Sequence, residues 1–128
     1  SDQDTLAGRP RILIVDDSLF MRTQIRNILS GAGYEIAGEA SDGNQAEEKF
    51  KDLNPDLVIM DITMPGTNGI DALRKIKSLN SQARVIMCTS LGLTSKVKEA
   101  ISEGADDYIL KPFQNERVLL AVKKVLNL

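Results

Sequence analysis

The chain has 128 residues, of which 42% are hydrophobic and 27% are charged, and its formal net charge is -2. This length is typical of one domain, and the near-neutral charge gives no indication of nucleic-acid or membrane binding. The chain contains no histidine, which excludes a Ser-His-Asp or Cys-His site and any histidine-ligated metal. Neither G-x-x-x-x-G-K-S/T nor G-x-G-x-x-G occurs, and no stretch resembles a signal peptide or a membrane span. We therefore expect a cytoplasmic protein without a nucleotide site.

Residues 1–9 are polar, and we expect a disordered lead-in or a cloning remnant there, followed by one domain over residues 10–128. Five short segments rich in apolar residues then predict β-strands. They cover residues 11–15, 34–40, 57–61, 84–88 and 107–110. The second alternates apolar with small or polar residues, as a half-exposed edge strand does. The fourth contains the only cysteine, Cys88, which we expect to be a buried core residue.

Amphipathic segments between and after these strands predict five helices. The first is expected to have Ser18 as its N-cap and to end at Gly31 and Gly33; the second opens at Gly43 and stops at Asn54-Pro55. Thr94 or Ser95 is expected to cap the fourth, and Asn115 the fifth. The side chains predicted to face inward are Met21, Ile25, Ile28, Leu29, Ala46, Phe50, Leu53, Ile70, Leu73, Ile76, Leu79, Val97, Ile101, Val118, Val122, Val125 and Leu126. Leu120 falls on the outer face. The alternation predicts an α/β fold with a doubly wound, five-stranded parallel sheet.

Polar side chains stand where four of these strands end. Asp16 and Asp17 follow the first strand, Asp61 ends the third, Thr89 follows the fourth and Lys111 follows the fifth. Ligands of open α/β sheets bind outside the carboxyl ends of the strands. If the strands are parallel neighbours, three carboxylates, a hydroxyl and an ammonium meet at one edge.

These groups together predict a phosphoryl-transfer site. Two like charges about 4 Å apart cost on the order of 1 kcal/mol in water and about 4 kcal/mol at an effective dielectric of 20, so clustered carboxylates need a counter-charge. A divalent cation supplies it, and hard oxygen ligands select Mg²⁺, Ca²⁺ or Mn²⁺ over Zn²⁺. A lysine and a threonine suit phosphate oxygens, and an aspartate can be a nucleophile that forms an aspartyl phosphate.

Each residue taken alone has a simpler explanation. The alternatives are a helix cap for Asp16-Asp17, a turn for Asp61, a strand-end cap for Thr89, a solvated surface charge for Lys111 and a core position for Tyr108. The occurrence of all the polar groups at matching strand ends favours a functional site.

The sequence resembles the receiver domain of bacterial response regulators over about residues 11–127. The resemblance rests on Val15-Asp16-Asp17-Ser18, Asp61-Ile62-Thr63-Met64-Pro65 through Gly69, Thr89, and Lys111-Pro112-Phe113. It implies a flavodoxin-like fold with strand order 2-1-3-4-5, which the residue pattern by itself does not supply. Phe20-Met21-Arg22, Met60 to Pro65 and Met87 to Gly92 are most similar to chemotaxis-type single-domain regulators. One departure is Ser90, where the family usually has alanine, and we expect it to narrow access to the site.

The same resemblance implies roles for individual residues. Asp61 is the expected phosphoacceptor. Mg²⁺ is expected on Asp17, Asp61 and the backbone carbonyl of Thr63, with Asp16 acting through water. Thr89 and Lys111 are expected to bind the phosphoryl oxygens, and Tyr108 is expected to turn inward on activation. Lys111-Pro112 is expected to be a cis peptide bond.

The resemblance further implies a monomeric switch that is not an enzyme for outside substrates and catalyses only its own phosphorylation and dephosphorylation. The expected partners are a histidine kinase and a downstream protein, such as the flagellar motor switch, at the face of the fourth helix, fifth strand and fifth helix. No contact with nucleic acid or membrane is expected. The alternatives are a receiver of another phosphorelay or of a DNA-binding regulator, a degenerate receiver used only for binding, a flavodoxin-like carrier, and a Mg²⁺-dependent phosphatase with an aspartate nucleophile. Haloacid-dehalogenase phosphatases require a second aspartate where this chain has Thr63, and a flavin phosphate would be repelled by Asp16-Asp17.

Overall fold

The chain folds as alternating strands and helices in a computed structural model that describes residues 8–66, 68–90 and 94–128. The strands are β1 Arg11–Val15, β2 Glu35–Ala40, β3 Leu57–Asp61, β4 Val85–Ser90 and β5 Asp107–Lys111. The helices are α1 Leu19–Gly31, α2 Gly43–Leu53, α3 Gly69–Leu79, α4 Thr94–Ser102 and α5 Asn115–Leu126. The five strands form one sheet in the order β2-β1-β3-β4-β5, and all four pairings are parallel. This confirms the predicted fold class and strand order.

Helices cover both faces of the sheet, so the central strands are buried on both sides. Side chains of α1 and α5 pack with one face, and those of α2, α3 and α4 pack with the other. All five residues of β3 are buried, as are four of the five in β1 and five of the six in β4. Each fully buried large aliphatic side chain contributes about 1.5–3 kcal/mol. The polar residues therefore lie at the ends of strands that are held rigidly by a closely packed core.

The strand register brings the carboxyl ends of the strands level. The relevant backbone pairs are Val15 with Met60, Asp61 with Cys88, and Ser90 with Lys111. Strands β4 and β5 extend beyond the predicted segments, because Thr89, Ser90 and Lys111 take part in this ladder. Cys88 is buried, as expected.

Two helix positions predicted to face inward are at the surface instead. Leu79 is 47% exposed and Ile101 is 46% exposed. Leu79 is the last residue of α3, and the buried face of this helix ends at Ile76. In the short helix α4 the residue that packs inward is Ala100, so the helical phase turns Ile101 outward. Met21, Leu53, Val97 and Val125 are only partly buried, whereas the other predicted inward positions and the exposed Leu120 are confirmed.

Four predicted helix ends are confirmed, among them the end of α1 at Gly31, and two predicted N-caps are wrong. Ser18 caps α1 by accepting the Met21 N–H at 3.2 Å, α2 opens at Gly43, and Asn54 ends α2 in a left-handed conformation. The prediction of Asn115 as the N-cap of α5 is wrong. The N-cap is Gln114, whose backbone is extended and whose side chain makes no capping hydrogen bond. Helix α4 already includes Thr94 and Ser95, so neither caps it.

Several predictions fall on residues outside the described ranges. These are most of the lead-in, at residues 1–7, and Thr67, Leu91 and Gly92 of the quoted motifs. In the described parts of the chain no helix is both long enough and apolar enough to cross a membrane.

Candidate functional site

Asp61 ends the central strand β3 and is 6% exposed. Its Oδ1 accepts a hydrogen bond from the Thr63 N–H at 3.1 Å, and its Oδ2 accepts one from Lys111 Nζ at 3.1 Å. Both carboxylate oxygens are therefore fixed, one by the loop that follows β3 and one by the end of β5.

Gly69 closes the loop after β3 directly onto Asp61. Its N–H donates to the Ile62 carbonyl at 2.9 Å, which starts α3 against the strand end. A Cβ at position 69 would lie 2.0 Å from the Asp61 carbonyl oxygen, closer than atoms can approach. Glycine is thus required here for the close approach of two backbone segments, a reason that turn composition alone did not reveal.

Asp16 and Asp17 reach the same place from the end of β1. Asp16 is 2% exposed; its Oδ1 accepts the Ser18 N–H at 2.9 Å and its Oδ2 accepts Lys111 Nζ at 2.9 Å. Asp17 is exposed at the rim. One oxygen from each of Asp16, Asp17 and Asp61 lies within 4.8 Å of the others, so the predicted carboxylate cluster exists.

Lys111 lies between the two buried carboxylates, and its side chain is 15% exposed. Burial by itself would lower the pKa of the Lys111 ammonium, but the hydrogen bond to Asp16 and the charge of Asp61 outweigh burial and raise it. Lys111 is therefore not the solvated surface charge of the simpler explanation. It partly neutralises a cluster that would otherwise repel itself.

Burial also raises the pKa of the Asp61 carboxyl, and the neighbouring Asp16 adds to this, whereas the ammonium of Lys111 opposes it. In the backbone ladder Asp61 pairs with Cys88, whose thiol pKa is raised strongly by burial. Cys88 is thus a neutral core residue, and the acidic groups are the nucleophile candidates beside it.

The donor set fits a small hard cation. Octahedral Mg²⁺ with oxygens at about 2.1 Å requires neighbouring ligands about 3 Å apart and opposite ligands about 4 Å apart. One oxygen of each carboxylate lies within 4.8 Å of the others, so the three groups converge on one small space, and direct ligands would have to move closer together around an ion. Asp17 is exposed at the rim, so this side of the site is open to solvent, and water or phosphate oxygens could complete the coordination of an ion there. Thr63 lies in the segment that follows β3, and its side chain is exposed.

The other predicted site residues on β4 and β5 differ in how deeply they are buried. Thr89 is 1% exposed, and its hydroxyl donates to the Ser90 carbonyl at 3.2 Å, while Ser90 itself is exposed at the strand end. Tyr108 is 38% exposed, so its interpretation as a core residue is wrong. It lines a surface cleft of about 380 Å³ that also includes Leu110 and Lys111. The Lys111-Pro112 peptide bond is cis, as expected.

The structure adds one residue that the sequence did not single out for the site. Arg22 of α1 donates from Nη1 to the Asp16 carbonyl at 2.7 Å and from Nε to Glu39 Oε1 at 2.9 Å. The only signal in the sequence was the position of Arg22 one helical turn after Ser18, in the Phe20-Met21-Arg22 motif. Nothing in that spacing predicts the contact with β2.

Comparison with known proteins identifies the family. The model of the response regulator receiver domain matches residues 12–123. Chemotaxis protein CheY of Bacillus subtilis (strain 168) is 56% identical over 117 residues, covering 91% of this chain and 98% of the relative. Chemotaxis protein CheY of Thermotoga maritima is 52% identical over 115 residues, covering 90% and 96%. The crystal structure of a CheX-CheY-BeF3-Mg²⁺ complex from Borrelia burgdorferi contains a chain that is 40% identical, with a TM-score of 0.87 and coverage of 93% and 91%. This chain, with its carboxylate cluster at the end of a 2-1-3-4-5 parallel sheet, therefore belongs to the response regulator receiver domain family and is of the CheY type.

Proposed function

We propose that this protein is a chemotaxis-type signalling switch that accepts a phosphoryl group on Asp61 from a histidine kinase. One observation carries the proposal: Lys111 bridges Asp16 and Asp61 inside a cluster of three carboxylates, at the carboxyl edge of a receiver-domain sheet. A structural salt bridge needs one acid and one base. Three acids around one lysine leave a net negative charge, which favours a divalent cation, and a bound cation can in turn bind phosphate oxygens.

In the proposed transfer, an oxygen of the Asp61 carboxylate attacks the phosphorus of a phosphohistidine. The new P–O bond forms as the P–N bond breaks, and the histidine nitrogen leaves with the electron pair. Dephosphorylation is the attack of water on the same phosphorus, which releases phosphate and regenerates the carboxylate. The protein catalyses these steps on itself and turns over no outside substrate.

Mg²⁺ would be held by Asp17 and Asp61 with the carbonyl of Thr63, and by Asp16 through water. When bound, it supplies positive charge that offsets the carboxylates and the phosphoryl oxygens. This assignment is supported by the donor chemistry of the cluster and by the Borrelia burgdorferi relative, which was solved with BeF3 and Mg²⁺.

The proposed switch begins at Lys111. A phosphoryl group on Asp61 offers new anionic oxygens, so the ammonium is expected to leave the Asp61 carboxylate and bind them, together with the hydroxyl of Thr89. Lys111 and Tyr108 lie on the same short strand. Because the Tyr108 side chain is exposed in this structure, it can turn inward when Lys111 moves. Such a turn would reshape the face of α4, β5 and α5 for a downstream protein, for which the flagellar motor switch is our candidate.

Intact-mass analysis tests the acceptor. Wild-type protein incubated with a small acyl phosphate and Mg²⁺ should gain one labile phosphoryl group, and Asp61→Asn should gain none. Asp71→Asn is the matched control, because Asp71 is a half-buried aspartate of α3 paired with Arg74 and outside the cluster. It should behave as wild type. No mass gain in the wild type, or an unchanged gain in Asp61→Asn, would contradict the proposal. Sustained release of phosphate from alcohol phosphates would support the phosphatase alternative.

A further inference from the structure

Arg22 connects the acidic cluster to the edge strand β2. Its side chain is 16% exposed, and its guanidinium donates both to the Asp16 carbonyl, at 2.7 Å, and to Glu39 on β2, at 2.9 Å. Glu39 is 17% exposed and also forms a salt bridge with Arg26, one helical turn further along α1. A largely buried arginine with two fixed acceptors is held far more firmly than a surface arginine.

The carbonyl that Arg22 contacts belongs to the peptide bond between Asp16 and Asp17. The other polar groups of Asp16 are also fixed, because its N–H donates to Ala40 and its carboxylate contacts Ser18 and Lys111. Arg22 completes this set, and no other side chain of the described residues is recorded on that carbonyl.

Asp17 differs from its two acidic neighbours. Its carboxylate is exposed and has no hydrogen bond or salt bridge within residues 8–66, 68–90 and 94–128. The direction of this side chain is therefore set mainly by its own backbone, which begins at the peptide plane that Arg22 holds.

We propose that Arg22 is a positioning residue for the metal site: by holding the Asp16–Asp17 peptide it directs the Asp17 carboxylate towards Asp61 before Mg²⁺ binds, and Glu39 holds Arg22 in place. This inference rests on the proposed function, which supplies the Mg²⁺ site. Residues that orient metal ligands from outside the coordination sphere typically change metal affinity by about 10–100-fold when they are lost.

The sign of the effect separates positioning from simple electrostatics. If Arg22 acted only through its charge, its removal would make the site more negative and Mg²⁺ would bind more tightly. If Arg22 instead positions Asp17, its removal should weaken Mg²⁺ binding, because the Asp17 carboxylate is then no longer directed towards Asp61. Arg26 provides a matched control, since it carries the same charge and shares Glu39 but makes no contact with Asp16.

The test compares Arg22→Met with Arg26→Met by titration calorimetry with Mg²⁺. Methionine retains an apolar stem and removes the donors. Arg22→Met should bind Mg²⁺ about 10-fold more weakly than wild type or worse, Arg26→Met should stay close to wild type, and Arg22→Lys should recover part of the loss. In a second measurement, the Mg²⁺ concentration that gives half-maximal phosphorylation by an acyl phosphate should rise by the same factor in Arg22→Met. The rate at saturating Mg²⁺ should approach that of wild type.

Each outcome decides between the alternatives. Unchanged or tighter Mg²⁺ binding in Arg22→Met would overturn the inference, and a lower melting temperature with unchanged Mg²⁺ affinity would assign Arg22 a purely structural role. If Arg22→Met does not fold, Glu39→Met takes its place, because it removes the acceptor that holds Arg22 while leaving the contact atoms on Asp16 intact; unchanged Mg²⁺ affinity there would also overturn the inference. Absence of Mg²⁺ binding by the wild type would refute the proposed function itself.

Discussion

Replacing Lys111 with methionine should destabilise the metal-free protein far more than replacing an ordinary lysine. Lys111 Nζ lies 2.9 Å from Asp16 Oδ2 and 3.1 Å from Asp61 Oδ2, and the two carboxylate side chains are only 2% and 8% exposed. At an effective dielectric of 20, each contact at about 3 Å corresponds to roughly 5 kcal/mol of Coulomb attraction before desolvation is subtracted. Lys111→Met leaves both carboxylates buried without their cation.

Breaking a buried ion pair by removing one partner typically costs about 3–5 kcal/mol. For a domain of this size, that loss lowers the melting temperature by about 10–20 °C. Lys75→Met is the matched control, because Lys75 is an exposed lysine of α3 whose contact with Glu47 is 3.8 Å long. Its effect should stay within about 0.5 kcal/mol. The assay is urea unfolding at neutral pH with a chelator present.

The pH dependence follows from the two pKa directions. The Lys111 pKa is raised in the folded state, so its contribution is fully present below about pH 10.5 and is lost as the pH rises through the folded value. At the acid end, protonation of Asp61 removes one of the two unpaired charges, so the cost of Lys111→Met should shrink as the pH falls towards about 4. The double variant Lys111→Met/Asp61→Asn should recover part of the lost stability. A free energy of unfolding for Lys111→Met within 0.5 kcal/mol of wild type at neutral pH would refute this reasoning.

Three further predictions concern the acidic site. In metal-free buffer, Asp61→Asn should be more stable than wild type at neutral pH; because the Asp61 pKa is raised by folding, this advantage should disappear as the pH falls below about 4, as pH-dependent denaturation would show. Asp17→Ala should leave the metal-free protein no less stable but lose most of the Mg²⁺-induced rise in melting temperature, and an unchanged rise would contradict the ligand assignment. Gly69→Ala should lower the free energy of unfolding by about 2 kcal/mol or more, because the new Cβ would clash with the Asp61 carbonyl oxygen. It should also slow phosphorylation by an acyl phosphate. Phosphorylation at the wild-type rate would show that the loop can move to accommodate the Cβ.

The composition of the site could be predicted because it depends on where strands end. Apolar runs locate the strands, and a parallel sheet brings their carboxyl ends to one edge, so Asp16, Asp61 and Lys111 meet wherever this topology forms. The strand order itself came from the family resemblance and from the structure. The pairing of Lys111 with both carboxylates was not predicted, because it depends on distances between the ends of three different strands.

Other features depend on helix phase and on contacts between distant elements. Ile101 has the spacing of an inward residue relative to Val97, but in the nine-residue helix α4 it is Ala100 that packs against the sheet. Tyr108 alternates with buried neighbours along the edge strand β5; Ile109 packs with α1 and α5, so Tyr108 lies on the opposite side of the strand, and its exposure there depends on how the neighbouring helix packs. The Arg22 contact joins α1 to β2 across 17 residues, which no local pattern encodes.

The most direct test of the central claim is to locate the phosphoryl group on the chain. Protein treated with a small acyl phosphate and Mg²⁺ is trapped with borohydride, which reduces an aspartyl phosphate to homoserine, and the digested peptides are mapped by mass spectrometry. We expect homoserine at Asp61, and only in samples that contained both reagents. Reduction at Asp16 or Asp17 with Asp61 intact, or no reduced residue at all, would contradict it.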